Sequence, residues 1–316
     1  MKTTIPWLDS TASAFRNSGR QGRPPHAVLL LGAPGSGKRC AAAWMARERL
    51  GLPGSDPSPG FPLQRPEHAD LNWIAPLEDK TTISIDQVRT LVADLALTSY
   101  EGRGKVAVIE PADAMTVNAA NSLLKTLEEP PGDTLMILVA DRVGRLPATI
   151  FSRCQHLKVA LPPTGQSLAW LEKLRPGGRW AAALAAAGNA PLRALEEHDR
   201  LDEIELMQGD LRTLAEGRGE PLEVAARWAK DDPQRVLGWL ARQVQHCVRQ
   251  VAGVAGEGAE RDFSQSVLER IDRRNLFCYL DIINRLRAQP AGSWNVQLTL
   301  ECLLIDWAGG LETITD

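Results

Sequence analysis

The sequence predicts an α/β domain with a parallel sheet and helices on both of its faces, followed by two helical regions. Three observations lead to this prediction. Short continuous apolar runs alternate with segments of helical periodicity through the first half of the 316-residue chain, a pattern typical of a parallel sheet buried between helices. A phosphate-binding loop motif joins the first apolar run to the first long helix that follows it. After "LPPTG" at 161–165, apolar residues recur only at helical spacing.

Four apolar runs predict the strands of the sheet: "AVLLLG" from residue 27, "DLNWIAP" at 70–76, "KVAVIE" at 105–110 and "TLMILVA" at 134–140. An Ala-rich helix is expected from Lys38 to Leu50, and a second helix begins at a capping box formed by Ser84 and Gln87. "TVNAANSLLKTLEEPP" predicts a third helix that its prolines terminate. Residues 51–66 contain five prolines and three glycines and predict an exposed loop with neither helix nor strand.

Helical periodicity continues to the C-terminus, with breaks expected near 175–179, 216–221 and 255–260. The block at 164–208 is too small to stand alone and is expected to pack on the sheet domain, 1–163. Residues 209–316 are numerous enough to form a separate helical domain. The nine Trp residues are interpreted as packing residues, with no role in base stacking.

Composition limits the classes of function. With 44% hydrophobic residues and 24% charged residues, the chain is typical of a globular protein. Its net charge of −3 gives no support for nucleic-acid binding by bulk positive charge. The N-terminus has no apolar signal core, and no apolar stretch reaches membrane-spanning length. The cysteines are scattered and form no C-x-x-C pair, which indicates a reducing compartment; they are Cys40, Cys154, Cys247, Cys278 and Cys302. A cytoplasmic protein is expected.

The stretch "HAVLLLGAPGSGKRC" at 26–40 contains Gly32-x-x-x-x-Gly37-Lys38 directly after an apolar run and before a helix. This order of strand, loop and lysine holds phosphate groups with backbone N–H groups at a helix N-terminus. A lysine at that end of a helix is disfavoured by the helix dipole. An anionic partner, present or ancestral, therefore explains Lys38 better than a solvated side chain does.

The metal-binding positions of this motif are altered. Arg39 stands where a Ser or Thr hydroxyl normally holds Mg²⁺. The matching strand "VAVIEPADAM" has Glu110 at the position of the metal-binding Asp and Pro111 at that of the base that activates water. Proline has no side-chain oxygen, so it cannot polarise water. Together these departures predict that the chain has lost nucleotide hydrolysis.

The segment 108–157 resembles the clamp-loader branch of the AAA+ ATPases. The resemblance is carried by "NAANSLLKTLEEPP", followed about twenty residues later by "SRC". "GNAPLRALE" at 188–196 resembles the helical lid of that family, and the last third resembles its collar domain in length and helicity. The implied architecture is a RecA-like P-loop sheet domain, a helical lid and an all-α oligomerisation collar.

The resemblance also implies roles for single residues. The phosphate-binding loop, here degenerate, is formed by Gly32, Gly35, Gly37, Lys38 and Arg39, with Glu110 on the altered metal strand. Ser152, Arg153 and Cys154 match the S-R-C motif, whose arginine reaches the ATP of a neighbouring subunit. Arg193 falls near the second nucleotide sensor of the lid. Retention of Lys38 leaves weak ATP or ADP binding open, and the absence of cysteine from 51–70 predicts that the family's zinc module is missing.

The function that the resemblance implies is that of a non-catalytic stator in a hetero-pentameric clamp loader. The implied partners are gamma/tau-type ATPase subunits and a delta subunit, with indirect contact to the sliding clamp and to primer-template DNA. Such a chain is part of a DNA-directed DNA polymerase holoenzyme without polymerising nucleotides itself. The alternative is an active P-loop AAA+ ATPase, which Arg39, Glu110 and Pro111 disfavour.

Arg153 and the acidic pair Glu128 and Glu129 have simpler alternatives. Arg153 could complement the C-terminal dipole of the short helix before it, although the S-R-C context favours the trans arginine. Glu128 and Glu129 lie at a helix end before two prolines. A solvated or packing role is favoured for them over acid–base chemistry.

Overall fold

The computed structural model describes residues 2–20, 25–53, 56–78, 80–141, 143–253, 263, 265–289 and 294–312. The chain divides into two compact units, residues 1–199 and 200–316. The first unit holds the sheet and the helices of the predicted lid, and the second is helical. The predicted boundary after residue 208 falls inside a helix of the second unit, Leu201–Ala215. The division into three domains stays a prediction.

The main sheet has five parallel strands in the order β4-β5-β6-β2-β7. In chain order the strands are β1 Thr3–Thr4, β2 Ala27–Leu31, β3 Gly60–Phe61, β4 Leu71–Ile74, β5 Lys105–Ile109, β6 Thr134–Ala140 and β7 Gln155–Lys158. All four predicted strands are present. Strands β5 and β6 are buried along their whole length, as expected for a sheet with helices on both faces. The fifth strand, β7, has only one buried residue, Leu157. It therefore contains no apolar run from which it could have been predicted.

The segment 51–66 is not wholly an exposed loop. Strand β3 pairs antiparallel with β1 near the N-terminus, and Ile5 N–H donates to the carbonyl of Pro59 at 2.9 Å. Pro59 and Gly60 are buried by this pairing. The prediction that the segment contains no strand was therefore wrong, because a two-residue strand is too short to produce an apolar pattern.

The helices of the first unit are α1 Asp9–Arg20, α2 Lys38–Leu50, α3 Ile85–Leu95, α4 Val117–Glu128, α5 Ala148–Phe151, α6 Thr164–Leu174, α7 Trp180–Ala186 and α8 Pro191–His198. The capping box is confirmed: Gln87 N–H donates to Ser84 Oγ at 3.3 Å, and Ser84 N–H donates to Gln87 Oε1 at 3.1 Å. Helices α3 and α4 share one core with alternate residues of β2, β5 and β6. Helix α2 contacts the same strands with small buried side chains, Ala41, Ala42 and Ala43. These three alanines are not part of the core that α3 and α4 share with the sheet. Helix α2 therefore covers the other face of the sheet.

The second unit contains α9 Leu201–Ala215, α10 Pro221–Trp228, α11 Pro233–Val251, α12 Gln265–Arg270, α13 Asn275–Arg287 and α14 Val296–Ala308. Its core is built around buried aromatic rings, as predicted for the tryptophans. Trp307 donates to the carbonyl of Leu211 at 3.0 Å, and the Tyr279 hydroxyl donates to that of Leu303 at 2.7 Å. The predicted breaks at 175–179 and 216–221 are confirmed, and the one at 255–260 lies outside the described residues. Among the described residues, none of the helices has the length and apolar character needed to cross a membrane.

Candidate functional site

The phosphate-binding loop connects β2 to α2, as the motif predicts. Gly35 and Gly37 have φ of 78° and 99°, which are left-handed values that favour glycine. Helix α2 begins at Lys38 directly after Gly37. This arrangement directs the N-terminal end of α2, with its unpaired N–H groups, toward the loop.

The lid packs directly on this loop. A Cβ atom at Gly35 would lie 2.7 Å from Cβ of Arg193 on α8, and Leu192 N–H donates to the Gly35 carbonyl at 3.2 Å. The structure therefore brings Arg193 next to the loop, where the lid resemblance placed it. The guanidinium of Arg193 pairs with Glu197 at 3.3 Å, and its role as a nucleotide sensor stays a prediction.

Lys38 is buried and held by groups of its own chain. Only 4% of its side chain is exposed, and Nζ donates to the carbonyls of Gly32 and Ala33, both at 2.7 Å. Nζ also forms an ion pair with Asp141 Oδ1 at 2.6 Å. Asp141 follows β6, the neighbour of β2, so both side chains lie at the carboxyl edge of the sheet. Asp141 was not among the predicted site residues; its position directly after a buried strand is the signal that could have identified it.

Glu110, at the end of β5, is buried and contacts one indole N–H and two arginines. Its side chain is 2% exposed, and Oε2 accepts from Trp73 Nε1 at 2.9 Å. Arg39 forms an ion pair with Oε1, and Arg65 Nη2 lies 3.5 Å from Oε2. The Arg65 guanidinium also lies over the Trp73 ring, 4.8 Å from its centroid. Arg39 and Glu110, predicted separately as departures from the motif, are therefore partners, whereas Arg65 and Trp73 were missed.

These residues do not fit a magnesium ion. Mg²⁺ requires oxygen ligands in near-octahedral geometry, but both carboxylate oxygens of Glu110 already contact nitrogen donors. The residue that should offer a hydroxyl is Arg39, whose cation is attached to the same carboxylate. Pro111 offers no oxygen from its side chain. The residues at the motif's own metal and base positions therefore offer Mg²⁺ no hydroxyl and water no base.

Arg153 and the loop lie at opposite ends of the strands: Arg153 at the amino ends and the loop at the carboxyl ends. Gln155 on β7 pairs with Val28 in parallel register, so Arg153 precedes the amino end of β7, whereas the loop follows the carboxyl end of β2. A strand of this length spans about 13 Å at roughly 3.3 Å per residue. Arg153 therefore does not reach the phosphate-binding loop of its own chain.

The Arg153 side chain is one-third exposed and has two anchors. Nε donates to Glu128 Oε1 at 2.7 Å, and Nη1 donates to the carbonyl of Thr149 at 2.9 Å. Glu128 thus serves as the counter-ion of Arg153, which agrees with the structural role expected for it. The Thr149 contact matches the helix-end alternative. The trans role stays a prediction.

Two cysteines adjoin candidate site residues: Cys40 follows Arg39, and Cys154 follows Arg153. Desolvation raises the pKa of the Cys154 thiol to about 12. Desolvation likewise raises the pKa of Cys40 to about 11, opposed by the nearby charge of Arg39. Because the thiolate is the reactive form, these raised pKa values disfavour a nucleophilic role for either cysteine at neutral pH. The expected lack of zinc stays a prediction.

A parallel sheet with a P-loop, a helical lid against that loop and an altered metal site define a P-loop AAA+ protein, which confirms the predicted fold class. A solved structure with a similar fold is a gamma subunit-related DNA polymerase III protein from Thermotoga maritima. Its TM-score is 0.53 and its identity 20%, covering 96% of this chain and 98% of that one.

Sequence comparisons define the family. Residues 7–162 match the model of "DNA polymerase III, delta subunit", and residues 202–309 match that of "DNA polymerase III, delta subunit, C terminal". The chain is 31% identical to DNA polymerase III subunit delta' of Pseudomonas aeruginosa over 98% of each protein. It is 26% identical to the Haemophilus influenzae delta' subunit, covering 97% of this chain and 96% of that protein. The chain belongs to the family of DNA polymerase III delta' subunits.

Proposed function

We propose that this chain is a stator of a clamp loader that places the sliding clamp on primed DNA, and that it does not hydrolyse ATP itself. The observation that carries the proposal is the Arg39–Glu110 ion pair at the position of the metal site. An ATPase needs that site for Mg²⁺ and a base beside it for water. The phosphate-binding loop then contributes to the fold, with weak ATP or ADP binding through Lys38.

The chain contributes Arg153 to the ATP site of a neighbouring subunit. Its position at the end of the strands opposite the loop of its own chain supports action in trans. An arginine suits this task because it stays charged and presents a planar fork to phosphate oxygens. In the complex, the γ-phosphate of the neighbour competes with Glu128 for the guanidinium.

The partners in this proposal are gamma/tau-type ATPase subunits and a delta subunit in a hetero-pentamer in the cytoplasm. The clamp and primer-template DNA are contacted indirectly, since the net charge of −3 gives no bulk attraction for DNA. Family membership supports the assembly, and the second helical unit has the size expected of a collar.

Reconstitution tests the proposal. ATPase and delta subunits from the same organism are mixed with or without this chain, and loading of a labelled clamp onto primed DNA is measured. We expect loading only in the complete mixture. Equal loading without this chain would contradict the proposal, as would steady Mg²⁺-dependent turnover by the isolated chain that Lys38→Ala abolishes.

A further inference from the structure

We infer that two arginines take the place of the divalent cation in this P-loop, so that the loop accepts a nucleotide polyphosphate without metal. Arg39 and Arg65 both contact the buried carboxylate of Glu110. Their two positive charges equal that of Mg²⁺. The inference rests on one part of the proposed function, the weak nucleotide binding, and is independent of the stator role.

The guanidinium groups disfavour a metal ion at this position. Arg39 and Arg65 both contact the Glu110 carboxylate. Lys38 is paired with Asp141, whose N–H donates to Asp113 Oδ1 at 3.0 Å, so the three cations and three carboxylates balance. A divalent cation placed there would be repelled by the guanidinium groups of Arg39 and Arg65, which already contact Oε1 and Oε2 of Glu110. A polyphosphate would be attracted by the same groups.

The two arginines can also reach a ligand. The side chain of Arg39 is 62% exposed and that of Arg65 is 49% exposed, although each has one contact to the buried Glu110. Each guanidinium has five N–H donors, so contact with one carboxylate leaves donors available. Arg39 is the second residue of α2 and therefore lies beside any phosphate that the loop holds.

A second feature of the loop points to a ligand. The hydroxyl of Ser36 is buried, with 0% of the residue exposed, and has no hydrogen-bond partner among the described residues. It lies inside the loop, 3.2 Å from where a Cβ of Gly32 would be. A buried hydroxyl without a partner costs free energy. A phosphate oxygen in the loop would accept its hydrogen bond.

The test is a calorimetric titration of the full chain with ATP and with ADP, in EDTA and then in excess Mg²⁺. We expect ATP to bind in EDTA and to bind at least about threefold more weakly in excess Mg²⁺. The metal forms a complex with ATP, and the guanidinium groups of Arg39 and Arg65 repel the metal ion in that complex. Affinity that increases with Mg²⁺ would overturn the inference. Absence of ATP binding at millimolar concentration would overturn it too, whereas clamp loading in the reconstituted mixture would still support the stator.

Variants assign the effect to the arginines. Arg65→Gln should weaken ATP binding in EDTA, and Arg39→Ser, which restores a hydroxyl, should remove the penalty of Mg²⁺. Arg89→Gln on α3 is the matched control, since Arg89 is 67% exposed and pairs only loosely with Asp86 at 3.8 Å. Circular dichroism verifies that each variant is folded. ATP binding that is the same for wild type, Arg39→Ser and Arg65→Gln in both buffers would overturn the inference.

Discussion

Lys38 Nζ lies 2.6 Å from Asp141 Oδ1, so the lysine of the phosphate-binding loop has a counter-ion within its own chain. The two residues follow neighbouring strands, β2 and β6, and meet at the carboxyl edge of the sheet. The carboxylate neutralises a lysine that is 4% exposed. A buried cation without such a partner is costly, and the pair therefore stabilises the loop in the absence of a phosphate.

Asp141→Asn should reduce the free energy of unfolding by about 1–3 kcal/mol, less than for a wholly buried pair because Asp141 is 36% exposed. Urea unfolding measures the change. Asp133→Asn is the matched control: Asp133 pairs with Arg49 but is 71% exposed, so about 1 kcal/mol or less is expected. Equal effects of the two substitutions would show that the Lys38–Asp141 pair has no special role.

The isolated chain should not turn over ATP above background in the presence of Mg²⁺. The physical reason is that Glu110 is occupied by Arg39 and Trp73 and that Pro111 cannot act as a base. A coupled phosphate-release assay measures the rate, with Lys38→Ala as the control for contaminating ATPase. A rate that disappears in Lys38→Ala would show that the loop is catalytic after all.

Much of the fold could be predicted from the sequence, because continuous apolar runs identify β2, β4, β5 and β6. Strand β7, "QHLK", could not be identified in this way, since only Leu157 is buried and its place at the sheet edge is set by the rest of the fold. The altered motif identified Arg39 and Glu110 as separate departures from the usual residues, but it did not predict that they pair. Their pairing, and the contribution of Trp73, depend on which strands become neighbours, which local sequence does not specify.

Asp70→Asn should destabilise the chain and reveal a pH dependence. Asp70 is buried, which opposes its ionisation, but it accepts hydrogen bonds from Tyr100 N–H at 2.8 Å, Glu101 N–H at 3.1 Å and Ser99 Oγ at 3.0 Å. These bonds favour the carboxylate and lower its pKa below the ordinary 3.8. Hydrogen bonds to a charged group contribute about 1.5–3 kcal/mol, and a loss of this size is expected at neutral pH.

The sign of the pH dependence follows from the lowered pKa. The stability that Asp70 contributes is fully present above the ordinary pKa and is lost as the pH falls through the lowered value. The difference between wild type and Asp70→Asn should therefore shrink in urea unfolding experiments as the pH is reduced below about 4. A difference that stays constant down to the lowest accessible pH would contradict the role of the ionised carboxylate.

A chain ending at Asp199 should fold but fail to join the complex. The cut falls between the two compact units and removes α9 as a whole, whereas a cut at the predicted boundary after residue 208 would divide that helix. Circular dichroism and thermal unfolding test the fold of the shortened chain. Size-exclusion chromatography with the ATPase and delta subunits tests assembly, and co-elution of the shortened chain would show that residues 200–316 are not the oligomerisation domain.

Arg153→Ala should leave the chain folded and the complex assembled, but slow hydrolysis at the one neighbouring ATP site. An arginine supplied in trans stabilises the charge that develops on the γ-phosphate and increases the rate by about 10³–10⁵ in other phosphoryl-transfer systems. Because other sites keep their own arginines, total ATPase should fall in part and clamp loading should fall further. Arg153→Lys should restore little, since an ammonium lacks the planar fork.

Glu128→Gln separates the trans role from the helix-end role. Glu128 holds Arg153 Nε at 2.7 Å; without its charge, the guanidinium is freer to reach the phosphate of a neighbour, and the contact to the Thr149 carbonyl remains. If Arg153 acts in trans, complexes with Glu128→Gln should show clamp-stimulated ATPase above the wild-type level, whereas an Arg153 that is only a helix-end cation predicts no change. Arg175→Ala, which removes an exposed pair with Asp199, is the control and should leave this ATPase unchanged. If Arg153→Ala complexes also hydrolyse and load like wild type, Arg153 is only a cation at a helix end, and the chain supplies no chemistry to its neighbour.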